Sequence, residues 1–236
     1  MLIVVDLGTS NLSGVCHALV KSGGDYELTD DPEVIAEERT LVLPWMGPLT
    51  VAMDSMRELG IDEALREAAS TGATILCLGS GMLLAAEEIA PGVPGLGLLP
   101  GKVAPSPLSV DPSRVRPLVG WAPLDILKRE PLFKEVADNS YVYYLVSQVL
   151  DIGDPNARLA DARLGAVRIA AAARQGNVYG LLFEADKSGE VGLRMLHNFL
   201  SQTSAVSGRI PRFVPELRPG GSSDSGSSAG STDSQL

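Results

Sequence analysis

The sequence predicts an α/β fold in one domain, with a central, mostly parallel sheet, helices on both faces and an antiparallel extension of the sheet. Short apolar runs alternate with helical patterns over residues 1–90, which is typical of parallel strands connected by helices. Between residues 96 and 183 strand patterns follow one another directly, which favours antiparallel pairing. The chain has 236 residues and is 45% hydrophobic, which is enough for one substantial core.

Each element of the first half follows from its apolar pattern. Residues 2–5 form a continuous apolar run, as expected for a strand that is buried on both faces. Apolar residues between 12 and 20 recur at helical spacing, and the glycine pair at 23–24 ends that helix. The same reasoning predicts strands at 26–28, 40–43 and 74–77 and helices at 51–59, 64–69 and 82–89.

The second half is predicted to contain strands and one long terminal helix. The strands are expected at 96–103, 116–124, 141–150, 166–172 and 177–183, and the helix at 187–201. We therefore assign residues 1–201 to one domain, 202–219 to a proline-containing extension and 220–236 to a Gly- and Ser-rich tail. The tail has too few apolar residues to form a core, so it is expected to be disordered.

Composition excludes several classes of function. The chain carries 19 Lys and Arg against 29 Asp and Glu, a net charge of −10, so no basic surface for nucleic acid is expected. Its two cysteines, Cys16 and Cys77, do not make a disulfide framework, which favours a reducing, cytoplasmic location. The first residues match a strand better than a signal peptide, and no apolar run is long enough to span a membrane.

Cys77 is the first candidate functional residue. Ligands of parallel α/β sheets bind beyond the carboxyl ends of the strands, where Asp6, residues 44–47 and Cys77 are expected to converge. Cys77 closes the predicted strand and precedes a glycine-containing turn, as a nucleophile does in hydrolases and amidotransferases. A thiol reacts when a base or a positive charge makes it a thiolate. The alternative interpretation is a small, buried and inert residue.

Several motifs occur between residues 1 and 201 in a specific order: Asp6-Leu7-Gly8-Thr9-Ser10-Asn11, Pro44-Trp45-Met46-Gly47, Cys77-Leu78-Gly79, Gly95-Leu96-Gly97-Leu98-Leu99-Pro100-Gly101, Gly120-Trp121 and Asn177-Val178-Tyr179-Gly180. Together they resemble the class I glutamine amidotransferases, and within that family the glutaminase subunit of imidazole glycerol phosphate synthase. The resemblance implies a three-layer, flavodoxin-like fold. It also implies glutamine hydrolysis by a cysteine, histidine and glutamate triad, without a cofactor or a metal.

The residues at the triad positions depart from this pattern. By resemblance, Cys77 takes the position of the nucleophile, Glu184 that of the histidine and Asp186 that of the glutamate. An anion near a thiol raises the pKa of that thiol. A carboxylate also cannot act as donor and acceptor at once, as a neutral imidazole does. Glu184 is therefore interpreted as a solvated carboxylate at a strand end rather than as a general base.

The turn and a neighbouring loop are altered as well. The family has glycine two residues before the cysteine, where this chain has Ile75, which predicts a relaxed or shifted turn. Trp45 replaces a glycine in the loop that presents backbone donors to the oxyanion. Its side chain is expected to fill the glutamine pocket or, alternatively, to pack at the surface or against a partner. Ser80 has glycine on both sides and is an alternative nucleophile without a base.

Only two histidines are present, and neither falls at the position of a catalytic base. His17 is predicted to be half-buried on the first helix, and His197 to be exposed on the last helix. Losing members of such a triad typically lowers the rate by about 10⁴- to 10⁶-fold.

The leading hypothesis is therefore a degenerate glutaminase-like subunit, a pseudoenzyme that acts by binding a partner in a heterodimer. By resemblance the partner is a cyclase-type (β/α)₈ barrel, and Lys187 and Trp121 match positions near the docking face. The alternative is an active glutamine amidotransferase that takes glutamine as its substrate and supplies ammonia for imidazole glycerol phosphate synthesis through Cys77. A third hypothesis is an unrelated small-molecule binding module that uses the cleft at the strand ends.

Overall fold

A computed structural model of the chain describes residues 1–8, 12–107, 117–165 and 167–203. The predicted tail at 220–236, and all but the first two residues of the predicted extension at 202–219, lie outside the described residues. The helices are α1 (Ser13–Lys21), α2 (Pro32–Glu37), α3 (Leu49–Leu59), α4 (Ile61–Ser70), α5 (Ser80–Leu84) and α6 (Gly189–Ser201). The strands are β1 (Leu2–Val5), β2 (Tyr26–Thr29), β3 (Thr40–Trp45), β4 (Thr74–Gly79), β5 (Glu88–Ala90), β6 (Val93–Pro94), β7 (Lys102–Pro105), β8 (Leu118–Ile126), β9 (Tyr141–Val146), β10 (Gln148–Asp151), β11 (Arg158–Leu164), β12 (Val167–Gln175) and β13 (Val178–Leu181).

A nine-stranded sheet with the order β2-β1-β3-β4-β13-β12-β11-β8-β9 forms the centre of the fold. The pairs from β2 to β13 are parallel, whereas the pairs from β13 to β9 are antiparallel. The predicted α/β fold with an antiparallel extension is therefore confirmed. A second sheet, with the order β10-β7-β5-β6, packs beside it and was not predicted as a separate unit.

Local sequence explains where several elements begin and end. The side chain of Asp31 caps α2 by accepting a hydrogen bond of 2.9 Å from the backbone N–H of Glu33. Pro32 follows at the first position of that helix, where its missing N–H costs nothing. Gly60 separates α3 from α4 with a left-handed φ of 75°, which glycine adopts without strain.

The strand predicted at 96–103 begins only at Lys102, and three further boundaries were wrong where tertiary pairing overrides the local pattern. β4 continues past Cys77 to Gly79, because its last residues pair with the end of β3. The helix predicted at 82–89 ends at Leu84, and Glu88–Ala90 instead joins the small sheet as β5. The strand predicted at 141–150 divides at Ser147 into β9 and β10, which belong to different sheets.

The strands that carry the candidate site cross the centre of the core. All residues of β1, β3 and β13 are buried, and so is every residue of β4 after Thr74. Two groups of helices cover the sheet: α1 packs against α6, while α4 packs against α2 and α3. Within the described residues, no helix is both long enough and apolar enough to cross a membrane.

Candidate active site

The turn between β4 and α5 has Gly79 as its central residue. Gly79 adopts φ 58° and ψ −128° immediately before α5, a conformation that side-chain-bearing residues rarely adopt. A sharp strand-to-helix turn of this kind is where α/β enzymes expose a nucleophile. The shift of the turn relative to Cys77 agrees with the expectation drawn from Ile75. The residue at the apex of this turn therefore has no side chain.

Gly81 fixes the position of the turn at the start of α5. A Cβ on Gly81 would lie 2.1 Å from the carbonyl oxygen of Leu43, so the start of α5 is packed directly against the backbone of β3. Only glycine permits this approach without displacing the backbone. The pair Gly79 and Gly81 thus sets the position of the turn; this glycine pattern is the signal in the sequence that could have identified Gly79, although the sequence-based assignment was Cys77.

Cys77 lies in the middle of β4 and is fully buried. It pairs with Leu43 of β3 on one side and with Gly180 of β13 on the other. Burial raises the pKa of the Cys77 thiol to about 12. The prediction that Cys77 ends its strand and begins the turn is therefore wrong, because β4 continues for two residues beyond Cys77. A thiol with this pKa is almost entirely protonated at neutral pH.

Glu184 lies directly beside the turn. A Cβ on Gly79 would lie 2.7 Å from Glu184 Oε1, so the carboxylate takes the space that a side chain at position 79 would need. Glu184 is 7% exposed, which corrects the interpretation of a solvated carboxylate. Its backbone N–H donates to the carbonyl oxygen of Tyr143 over 2.8 Å, which fixes it against β9. Burial raises the pKa of Glu184 above its ordinary value of 4.5.

Lys187 and Asp186 complete the charged group beside the turn. Lys187 Nζ donates to Glu184 Oε2 over 3.0 Å, and this bond opposes the effect of burial on the Glu184 pKa. Asp186 Oδ2 lies 3.9 Å from the same ammonium. A Cβ on Gly14 would lie 2.5 Å from Asp186 Oδ2, so that carboxylate reaches the first turn of α1, where a helix favours negative charge.

Trp45 closes the cleft that these residues line. Its side chain is 4% exposed, and its Nε1 donates to the carbonyl oxygen of Gly47 over 3.1 Å. The cleft it shares with Leu78, Glu184 and Lys187 has a volume of about 20 Å³. That is room for about one water molecule, not for an amino acid. Two positions were expected for the Trp45 side chain, and this geometry agrees with the one that fills the glutamine pocket.

The segments expected to converge do so only in part. Pro44, Trp45 and Met46 line the cleft together with Glu184 and Asp186, whereas Cys77 and Asp6 are not among its lining residues. Asp6 instead accepts a hydrogen bond of 2.8 Å from the backbone N–H of Gly8.

Neither histidine is part of this group. His17 is exposed on α1, so the expectation of a half-buried residue was wrong. His197 is half-buried on α6, not fully exposed, and its Nδ1 donates to the carbonyl oxygen of Ser22 over 2.9 Å. Ser80 is half-buried in the first turn of α5. No imidazole is therefore available from either histidine to activate Cys77 or Ser80.

An apolar sheet face adjoins the turn. The β8–β9 pairs Val119–Leu145, Trp121–Tyr143 and Pro123–Tyr141 point to one side of the sheet. We call these six residues the β8–β9 face. Val119, Trp121 and Tyr141 are 55%, 55% and 59% exposed, although they are large and apolar. The face is joined to the site through Tyr143, whose carbonyl oxygen accepts from the backbone N–H of Glu184 over 2.8 Å. Of this face, only Trp121 was singled out from the sequence.

Comparison with known proteins places the chain in a family. No protein-family model matches it. The imidazole glycerol phosphate synthase subunit HisH of Geobacillus sp. (strain WCH70) is 34% identical over 205 residues, covering 85% of this chain and 96% of that protein. The subunit of the same name from Symbiobacterium thermophilum is 34% identical over 200 residues, with coverage of 84% and 92%.

Solved structures give the same fold. A crystal structure of a glutamine amidotransferase superposes with a TM-score of 0.66 at 21% identity, covering 84% of this chain and 97% of that chain. A glutamine amidotransferase from Thermotoga maritima superposes with a TM-score of 0.55 at 11% identity, covering 85% and 82%. The fold, the order of the motifs and the identity over most of both chains lead to one conclusion: the chain belongs to the family of the imidazole glycerol phosphate synthase subunit HisH.

Proposed function

We propose that this chain is a non-hydrolysing member of its family, which acts by docking onto a cyclase-type (β/α)₈ barrel. One observation carries the proposal: the turn that would present a nucleophile has a glycine at its apex, and the carboxylate of Glu184 occupies the space beside it. Attack on the amide of glutamine needs a nucleophile at that turn and a base that takes its proton. Here the nucleophile is missing, and the group at the position of the base is a carboxyl that is bonded to the Lys187 ammonium.

We assign the positions of the site as follows. Gly79 takes the nucleophile position in place of Cys77, Glu184 takes that of the histidine and Asp186 that of the glutamate. Cys77 lies two residues before the apex of the turn, and burial raises the pKa of its thiol to about 12, so the thiol is almost entirely protonated at pH 7. The Glu184–Lys187 ion pair, with Trp45 beside it, fills the room in which glutamine would bind.

The proposal that the chain docks onto a barrel subunit rests on the β8–β9 face. The relatives are named as subunits of imidazole glycerol phosphate synthase, a name that implies assembly with another chain. A contiguous face with exposed Val119, Trp121 and Tyr141 is typical of a protein–protein contact, since aromatic residues dominate such interfaces. Lys187 directly precedes Ser188, whose Oγ accepts from the backbone N–H of Tyr143, and its half-exposed side chain could add a charged contact to a partner.

The competing proposal is an active glutamine amidotransferase, and the names of the relatives favour it. It requires Cys77 to leave the centre of β4 and to gain a base from outside the two histidines of this chain. It also requires Trp45 to vacate the cleft. Docking and hydrolysis therefore need separate measurements.

Docking is tested by titrating the full chain with a purified cyclase subunit by calorimetry. We expect a one-to-one complex, and Trp121→Ala should weaken it about 30-fold, because truncating an aromatic hot spot typically costs about 2 kcal/mol. Val51→Ala is the matched control, since Val51 is 52% exposed on α3, away from the β8–β9 face. An absence of binding, or equal weakening by both variants, contradicts docking through this face.

A further inference from the structure

A cavity of about 270 Å³ lies apart from the strand-end cleft. It is bounded by the last turn of α1, the segment 135–140 and one face of α6, and it shares no lining residue with the cleft. Among the cavities that the described residues line, this volume is much closer to that of a small metabolite than the 20 Å³ of the cleft.

The walls of this cavity are fixed by hydrogen bonds between distant segments. Ser22 Oγ donates to the carbonyl oxygen of Leu193 over 3.1 Å, and His197 Nδ1 donates to the carbonyl oxygen of Ser22 over 2.9 Å. Asn198 Nδ2 donates to the carbonyl oxygen of Lys134 over 2.7 Å, which ties the segment before residue 135 to α6. The cavity is therefore preformed, and a ligand would not have to order its walls.

One wall holds a strained residue. Glu135 has a φ of 61°, a left-handed conformation that a glutamate adopts rarely and at a cost. Its carboxylate pairs with Arg194 Nη1 on α6 at 3.0 Å, which keeps Glu135 at the cavity rim. Strain of this kind is concentrated at binding sites, where the surrounding structure holds it in place.

The remaining charges define the ligand. Lys21 and Glu190 both line the cavity, and neither makes an ion pair with any described residue. Val136, Val191 and Leu193 add apolar side chains to the lining of the cavity. A ligand that satisfies this arrangement carries a carboxylate for Lys21, an ammonium for Glu190 and an apolar body. We propose that the cavity is a binding site for a free α-amino acid with an apolar side chain.

The test uses three probes that differ in one charged group each. L-Leucine has both charges, 4-methylpentanoate lacks the ammonium and isopentylamine lacks the carboxylate. Each is titrated into the ¹⁵N-labelled full chain, and amide shifts are followed. We expect saturable shifts with leucine at residues of α1, α6 and the segment 135–140. Each incomplete probe should bind at least about tenfold more weakly, because it leaves one charged group unpaired.

Two variants separate binding from structure. Glu190→Gln removes a carboxylate from the first turn of α6, and Glu63→Gln removes one from the first turn of α4. We expect Glu190→Gln to weaken the binding of leucine about tenfold and Glu63→Gln to leave the affinity for leucine unchanged. No shifts with leucine, equal shifts with the three probes, or equal behaviour of the two variants would overturn the proposal. Neither glutamine nor a cyclase enters this measurement, so its outcome is independent of the proposed function.

Discussion

Glu184 is a buried carboxylate whose ionisation should oppose folding. Its pKa is raised by burial above the ordinary 4.5, and the bond from Lys187 offsets only part of this rise. A carboxyl group with a raised folded-state pKa contributes stability that is present below pH 4.5 and is lost as the pH rises through its folded pKa.

We therefore predict that the stability of Glu184→Gln relative to the native chain increases from pH 4 to pH 7. Glutamine does not ionise, so the variant avoids the free-energy cost of placing a buried charge at position 184. Urea unfolding at both pH values measures the difference, with the exposed Glu63→Gln as the control. A relative stability that falls with pH would mean that the Lys187 ion pair outweighs burial.

The reactivity of thiols tests the assignment of position 79. Burial raises the pKa of the Cys16 thiol as well as that of Cys77, so the native chain should react slowly with iodoacetamide at pH 7.5. In the double variant Gly79→Cys, Glu184→Ala, the new thiol lies at the turn without the carboxylate beside it. We expect that thiol to be labelled on the order of 100-fold faster than Cys77, measured by mass spectrometry. Rapid labelling of Cys77 in the native chain would contradict the assignment.

At the scale of elements, the junction of β4 and α5 depends on Gly81 as well as on Gly79. A Cβ on Gly81 meets the Leu43 carbonyl oxygen at 2.1 Å, and a backbone atom cannot move aside as a flexible side chain would. We predict that Gly81→Ala destabilises the chain by about 1–3 kcal/mol, the usual cost of overpacking. Gly153→Ala is the control, because nothing lies within 4 Å of its Cβ. Equal denaturation midpoints for the two variants would show that the junction tolerates displacement.

The same junction shows what the sequence could and could not predict. Apolar runs and glycine turns placed β1, α1, β3 and α3 to within a few residues, since their burial pattern repeats locally. The extension of β4 depends on pairing with the end of β3, and the conversion of 88–90 to a strand depends on pairing with β6 and β7. Such pairings join distant segments, so local periodicity does not report them.

Some residues of the candidate site could be predicted from the sequence, whereas the nucleophile position and the ion pair could not. Residues 184 and 186 were found by their place in a motif, and the structure brings them together with Trp45. The nucleophile position was assigned to Cys77 because cysteine is the residue type that the chemistry uses. Backbone dihedrals, not residue type, identify Gly79 as the apex of the turn. The ion pair between Glu184 and Lys187 was missed because it depends on side-chain conformations that the sequence does not give.

At the scale of the whole molecule, the chain has the fold of its family, and its strand-end cleft has room for about one water molecule. The nine-stranded sheet places the β8–β9 face at one edge, next to the backbone of Glu184. A partner bound to this face would lie beside β9, the strand whose Tyr143 carbonyl oxygen accepts a hydrogen bond from the backbone N–H of Glu184. In an assembly of this kind the chain would hold the barrel while ammonia reaches the barrel without its help.

The most direct test is glutamate release from glutamine by the purified chain, alone and with a cyclase subunit. We predict release at the level of a protein-free blank in both cases, and no difference between the native chain and Cys77→Ala. The reason is that position 79 carries no nucleophile and the Cys77 thiol is buried and protonated. Release that rises with the cyclase and disappears in Cys77→Ala would contradict the account and would establish an active amidotransferase.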